Sequence, residues 1–218
     1  MKRFLFWLLL GCCMPSAQAQ MAFEAHRGTR QTQYFAFQQR SLDSAGRWNL
    51  FASQLYARWH ESPDLAVIGL ENQLSYQFLP WLGVSAGVAM GTDGFQPNVG
   101  LALDFANEKG DFFVSAYPTY ALGKGGGLEL FFVSQYAPQG KRLWAPFFQW
   151  IGGLSTGFSN QLHEKQRSLQ FTGAEHMLRL GLNYRQKWQF GLGLDWLRVP
   201  AVDLRLVNPG IFLRFAID

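Results

Sequence analysis

The sequence predicts an all-β chain, folded as an antiparallel up-and-down barrel whose strands cross a membrane. Three observations predict it. Apolar residues alternate with polar or small ones at a period of two through most of the chain. Short and long connections alternate between the segments that carry this period. The chain is 48% hydrophobic but only 16% charged, and residues 72–92 and 143–163 hold no acidic or basic side chain, counting His as neutral. Either stretch is long enough for a membrane helix. However, Leu79-Pro80-Trp81 breaks the first, and Pro146 and Gly152-Gly153 break the second. Both keep the period of two, so both read as strand.

The N-terminus reads as a secretory signal. Lys2 and Arg3 precede the apolar run Phe4 to Leu10, and Ala17-Gln18-Ala19 fits a small-x-small cleavage site. Removing these 19 of the 218 residues leaves 199, starting at Gln20. A lipoprotein cut before Cys12 is the rival reading, but Leu10 fits it poorly. Both cysteines, Cys12 and Cys13, lie in the leader. The mature chain is therefore cysteine-free, which excludes disulfides, thiolate metal sites and a Cys nucleophile. Losing Lys2 and Arg3 lowers the net charge from +4 to +2, and the remaining Lys and Arg are scattered. No nucleic-acid partner is expected.

The strands follow in order. Ile68, Leu70, Leu74, Tyr76 and Phe78 oppose Glu71, Gln73, Ser75 and Gln77. After Pro80, Leu82, Val84, Ala86 and Val88 oppose Gly83, Ser85, Gly87 and Ala89. Val99, Leu101, Leu103 and Phe105 oppose Gly100, Ala102 and Asp104. Trp144, Phe148, Trp150 and Leu154 oppose Gln149 and Gly153. Leu178, Leu180 and Leu182 oppose Arg179 and Asn183, and Phe190, Leu192 and Leu194 oppose Gly191, Gly193 and Asp195. Val207, Ile211, Leu213 and Ile217 oppose Asn208, Gly210 and Arg214. The strands expected are 47–59, 66–79, 81–91, 98–108, 111–122, 127–137, 142–158, 173–185, 187–197 and 204–217, ten in all. Tight connections at 79–81, 107–111, 138–141 and 185–187 alternate with longer ones at 60–65, 91–97, 123–127, 159–172 and 198–203.

On this pattern the chain resembles the small outer-membrane β-barrel proteins of diderm bacteria. The resemblance covers the mature chain and names a class, not a particular family. It implies residence in the bacterial outer membrane of a Gram-negative envelope, with both termini periplasmic. Outer-membrane lipids and lipopolysaccharide, periplasmic chaperones and the barrel assembly machinery are the implied partners. In hydrocarbon, backbone groups must pair internally, so spanning strands must close. Tyr76, Phe78, Trp81, Tyr184 and Trp188 flank short turns, and Trp59 and Trp196 sit near the opposite rim, as interfacial aromatic girdles do. The final residue, Asp218, departs from the terminal aromatic many such barrels carry. The chain divides into a leader at 1–19, an N-terminal extension or extra strand pair at 20–46, and the barrel at 47–218. Ten strands are expected, with eight or twelve as alternatives.

The class hosts pores, lipid-modifying enzymes, proteases and scaffolds. The best local cluster for catalysis is His60, Glu61 and Ser62, at the outer end of a strand. Neighbours on a strand face opposite ways, so even these are weak candidates. No metal-ligand spacing emerges from the four histidines, and neither a metal nor a cofactor is expected. The inward parity places Arg58, Glu71, Gln73, Asp104, Glu129, Gln149, Glu175, Arg179, Asp195 and Arg214 along the lumen. Mixed signs favour pairing across a narrow interior. The sequence therefore points to a non-enzymatic structural or surface-interaction role with a largely filled lumen. A narrow solute channel is the first alternative, and a lipid A or phospholipid modifying enzyme at the outer rim the second.

Overall fold

The computed structural model describes residues 19–42, 45–60, 67–91, 94–107, 111–122, 126–138, 142–159 and 168–217. These form twelve antiparallel strands: β1 Ala19–Gly28, β2 Gln31–Ser41, β3 Trp48–His60, β4 Val67–Leu79, β5 Leu82–Gly91 and β6 Gly94–Ala106, then β7 Phe112–Ala121, β8 Leu128–Tyr136, β9 Trp144–Ser159, β10 Ser168–Tyr184, β11 Trp188–Val199 and β12 Leu204–Ile217. Each strand pairs with its sequence neighbours, and β1 pairs with β12 from Met21↔Ile217 to Gly28↔Gly210. The sheet closes on itself and leaves no edge strand among the described residues.

Twelve strands replace the ten expected. The segment 20–46 supplies the additional pair, β1 and β2, rather than an extension before the barrel. The physical reason is local. On β1, Phe23 and Arg27 share the exposed face while Glu24 and His26 are buried, so neither face is uniformly greasy or polar. β2 carries aromatic residues on both parities, Tyr34 on one and Phe35 and Phe37 on the other, and the bulge where it meets β3 places an extra residue, Gln54, on β3.

The regular alternation of short and long connections is also absent. At the end carrying the termini, the connections are residues 42–47, 80–81, 107–111, 137–143 and 185–187. At the other end they are 29–30, 61–66, 92–93, 122–127, 160–167 and 200–203. Short and long occur at both ends. The expected long connection at 91–97 shrinks because Gly94, Phe95 and Gln96 join β6 and pair with β5. The turn after β10 fits its geometry: Arg185 and Gln186 both take positive φ (53° and 60°), and the Lys187 N–H returns to the Tyr184 carbonyl at 3.1 Å. This is the turn twist that suits a two-residue hairpin.

The alternation sorts chemistry between the faces as the sequence implies. Leu180, Leu192 and Ile211 are 63–67% exposed on the outside, whereas His26, Asn208 and Arg179 are at most 1% exposed within. Aromatic pairs ring the end that carries the termini. Trp48 lies 4.9 Å from Tyr76, Trp144 4.7 Å from Tyr184, and Trp188 4.6 Å from Phe215, centre to centre. A second outward group joins Phe132, Trp150, His176 and Trp196 across β8 to β11. The Trp150 indole N–H donates to His176 Nδ1 at 3.3 Å, and Trp196 stacks on that imidazole at 5.2 Å. Gly152 makes this possible, because a Cβ there would sit 2.4 Å from the Phe132 ring and 2.6 Å from His176.

Candidate functional site

Among the described residues, the barrel interior is where this fold gathers charge, and most of it gathers at the closing seam. Arg179 projects inward from β10 and is 1% exposed. Its Nε donates to Glu24 Oε1 on β1 at 2.7 Å, and its Nη1 donates to Asp195 Oδ1 on β11 at 2.6 Å and to the Leu178 carbonyl at 3.0 Å. The other Asp195 oxygen lies 2.5 Å from His26 Nδ1 on β1 and accepts from Asn208 Nδ2 on β12 at 3.4 Å. Asn208 Oδ1 in turn accepts from the Arg30 backbone N–H at 2.8 Å, which ties the cluster to the β1–β2 turn. Four neighbouring strands thus share one buried network.

Two glycines make room for it. A Cβ on Gly193 would meet the His26 ring at 2.8 Å, and one on Gly28 would meet the Asn208 amide at 2.2 Å. Arg179 and Arg214 also face aromatic rings, each with its guanidinium carbon 5.9 Å from a ring centre, on Phe212 and Phe147 respectively. Arg214 reaches Gln135 Oε1 at 3.4 Å, and Gln149 donates to the same oxygen at 3.0 Å. The two guanidinium groups balance the two carboxylates of Glu24 and Asp195.

A second, smaller network lies on β4, β6 and β7. Asp104 accepts from Gln77 and, at 2.5 Å, from the Ser115 hydroxyl. Gln73 donates to Asn98 at 2.8 Å. Glu129 accepts from Gln96 at 3.4 Å. Glu175 is half-buried and stands opposite Gly153 in register. At Gly153 a Cβ would meet nothing within 4 Å, so the wall faces open space there.

The sequence-derived candidates divide accordingly. Arg179, Asp195 and Arg214 come together at the seam, and Gln149 joins them through Gln135. Gln73, Asp104 and Glu129 lie elsewhere on the wall. Arg58 and His60 fall on β3 and Glu71 on β4, but their side chains lie outside the described residues, as do Glu61 and Ser62 altogether. Sequence reading missed Glu24 and His26, which complete the network. Their inward, polar parity beside Phe23 was the available signal, and Arg27 on the outward face obscured it. It also left out Asn208, whose parity was readable opposite Val207.

No family model and no curated protein matches this chain. Solved structures do. The NanC porin matches with a TM-score of 0.56 at 9% identity, covering 91% of this chain and 98% of that one. The KdgM porin matches with a TM-score of 0.51 at 10% identity, covering 91% of this chain and 99% of that one. At such identities the likeness is one of fold, and on it the chain resembles outer-membrane β-barrel proteins of the porin type.

Proposed function

We infer that the chain is an outer-membrane barrel with a narrow, water-filled passage for small solutes, and that both termini face the periplasm. This favours the channel over the filled scaffold that the sequence put first. Twelve strands enclose more interior than ten. The contacts of Arg179 with Glu24 and Asp195, and of Asp195 with His26, are held among the neighbouring strands β10, β11 and β1, while Arg214 on β12 reaches inward as far as Gln135 on β8. The observation that carries the reading is the open space before Gly153, beside half-buried Glu175. The two porins of like fold agree with it. Greasy outward residues between aromatic rims fit the hydrocarbon layer.

Liposome swelling tests the reading. Vesicles carrying the refolded protein are expected to swell in small neutral sugars, and more slowly as the sugar grows. Gly153→Trp fills the open stretch and is expected to cut the swelling rate roughly in half or more. Equal rates for Gly153→Trp and wild type, or no swelling with folded protein, would contradict a passage along this wall.

A further inference from the structure

The outer face carries one feature that a purely greasy belt does not explain. Across β12, β1 and β2 a cleft of about 640 Å³ is lined by Ala25, Arg27, Thr32, Tyr34, Ile211 and Leu213, with His26 and Phe212 completing its floor. That volume lies within the roughly 300–1,000 Å³ of ordinary ligand clefts. The cause is a small residue between large ones. Ala25 pairs with Leu213 on one side and Tyr34 on the other, and both of those side chains stand about half-exposed. Its methyl group leaves a trough between them.

At the head of the trough sits a cation. Arg27 is exposed on the same face, pairs in register with Ile211 and Thr32, and donates to Thr32 Oγ1 at 2.6 Å. Its outward neighbours Ala25, Thr29, Ile211, Thr32 and Tyr34 include no carboxylate. Arg30 is exposed two residues past the end of β1, at the barrel end opposite the termini. A guanidinium on a lipid-facing wall is costly unless it reaches an interface and an anion. An apolar trough topped by two arginines and a hydroxyl has the polarity of an anionic lipid, acyl chain below and phosphate above.

We propose that this cleft binds one molecule of the lipid A part of lipopolysaccharide. An acyl chain lies over Ala25 between Tyr34 and Leu213, and a glucosamine phosphate is held by Arg27, Arg30 and Thr32. The proposal rests on the membrane reading above, which puts this end of the barrel in the outer leaflet, where lipid A is the anionic lipid.

Native mass spectrometry of the refolded mature chain in detergent tests it, with bisphosphorylated lipid A, its dephosphorylated form and phosphatidylglycerol as separate probes. Heat-modifiable mobility first shows that each sample is a folded barrel. A single lipid A adduct is expected. Arg27→Ala is expected to weaken it about tenfold, as is loss of the phosphates. Ala25→Phe fills the trough and is expected to weaken it comparably, while Leu101→Ala, exposed on β6 away from the cleft, leaves it unchanged. A folded barrel whose adduct ignores both Arg27→Ala and Ala25→Phe overturns the site and leaves the barrel reading intact. Phosphatidylglycerol binding as tightly, with the same sensitivity to both variants, overturns lipid A as the occupant. A chain that stays folded and soluble without detergent overturns the membrane reading itself.

Discussion

Replacing Arg179 with Met is expected to destabilise the folded barrel by about 3–5 kcal/mol, the usual cost of removing one partner from a buried ion pair. The reason lies in what remains. Glu24 and Asp195 are 5% and 2% exposed, and each receives a charge-assisted hydrogen bond from this one guanidinium. Without it, two carboxylates face each other's field in a confined interior with Arg214 as the remaining nearby guanidinium. Met preserves most of the volume, so the loss reads charge and hydrogen bonding rather than a cavity. Urea unfolding in lipid vesicles measures it. Adding Asp195→Asn to the Arg179→Met variant is expected to recover much of the loss, since one carboxylate, Glu24, then stands opposite one guanidinium, Arg214, its partner in register. A loss under about 1 kcal/mol for the single change would show that water reaches these carboxylates and solvates them in place of Arg179.

The second large effect is expected on the opposite face. Leu192→Arg is expected to cost about 2–4 kcal/mol when the protein folds into a bilayer, as a cation does near the midplane of a lipid-facing strand. Leu192 is 67% exposed and is flanked in register by Leu180 and Ile211, which are almost as exposed. If the same face met water, an added arginine there would be neutral or would improve solubility. Folding efficiency in short-chain phosphatidylcholine vesicles separates the two outcomes. Unimpaired folding of Leu192→Arg would contradict a membrane-spanning wall. The same measurement on Arg27→Leu gives the complementary result, because removal of a cation from the lipid face does not weaken insertion.

Much of this architecture was readable where each strand keeps two chemically distinct faces. Along β10 and β11, Leu178, Leu180, Leu182, Phe190, Leu192 and Leu194 hold one parity, so Arg179 and Asp195 could only point inward, and they do. Gln73, Gln149 and Arg214 were readable for the same reason. The pattern failed where the faces are alike. β1 puts Arg27 outside and Ala22 inside, and β2 sets Tyr34 on one parity and Phe35 and Phe37 on the other, so neither has one greasy and one polar parity. Inward apolar residues gave no sign either. Phe147, Leu206 and Phe212 are buried on the parity that is otherwise polar, and two of them lie beneath guanidinium groups.

The pairing itself was beyond sequence reading. Arg179 meets Glu24 across 155 residues, because closure brings the first strand beside the last. Period-two patterning reports which way a side chain points along its own strand. It carries no information on which distant strand completes the ring, and so none on which inward charges become partners. Connection lengths misled for a related reason. They were measured between apolar runs, whereas β6 extends through Phe95 and Gln96 by backbone pairing with Met90 and Ala89.

The central claim is a water-filled passage along the wall at Gly153, and single-channel recording in a planar bilayer tests it most directly. Made in a chain that also carries Cys12→Ser and Cys13→Ser, Gly153→Cys supplies a single thiol. Wild type and Gly153→Cys are both expected to give discrete conductance steps. A bulky charged thiol reagent is expected to reduce the steps of Gly153→Cys and leave those of the wild type unchanged. Silent bilayers with protein shown to be folded and inserted, or steps in Gly153→Cys that the reagent does not alter, would contradict the account.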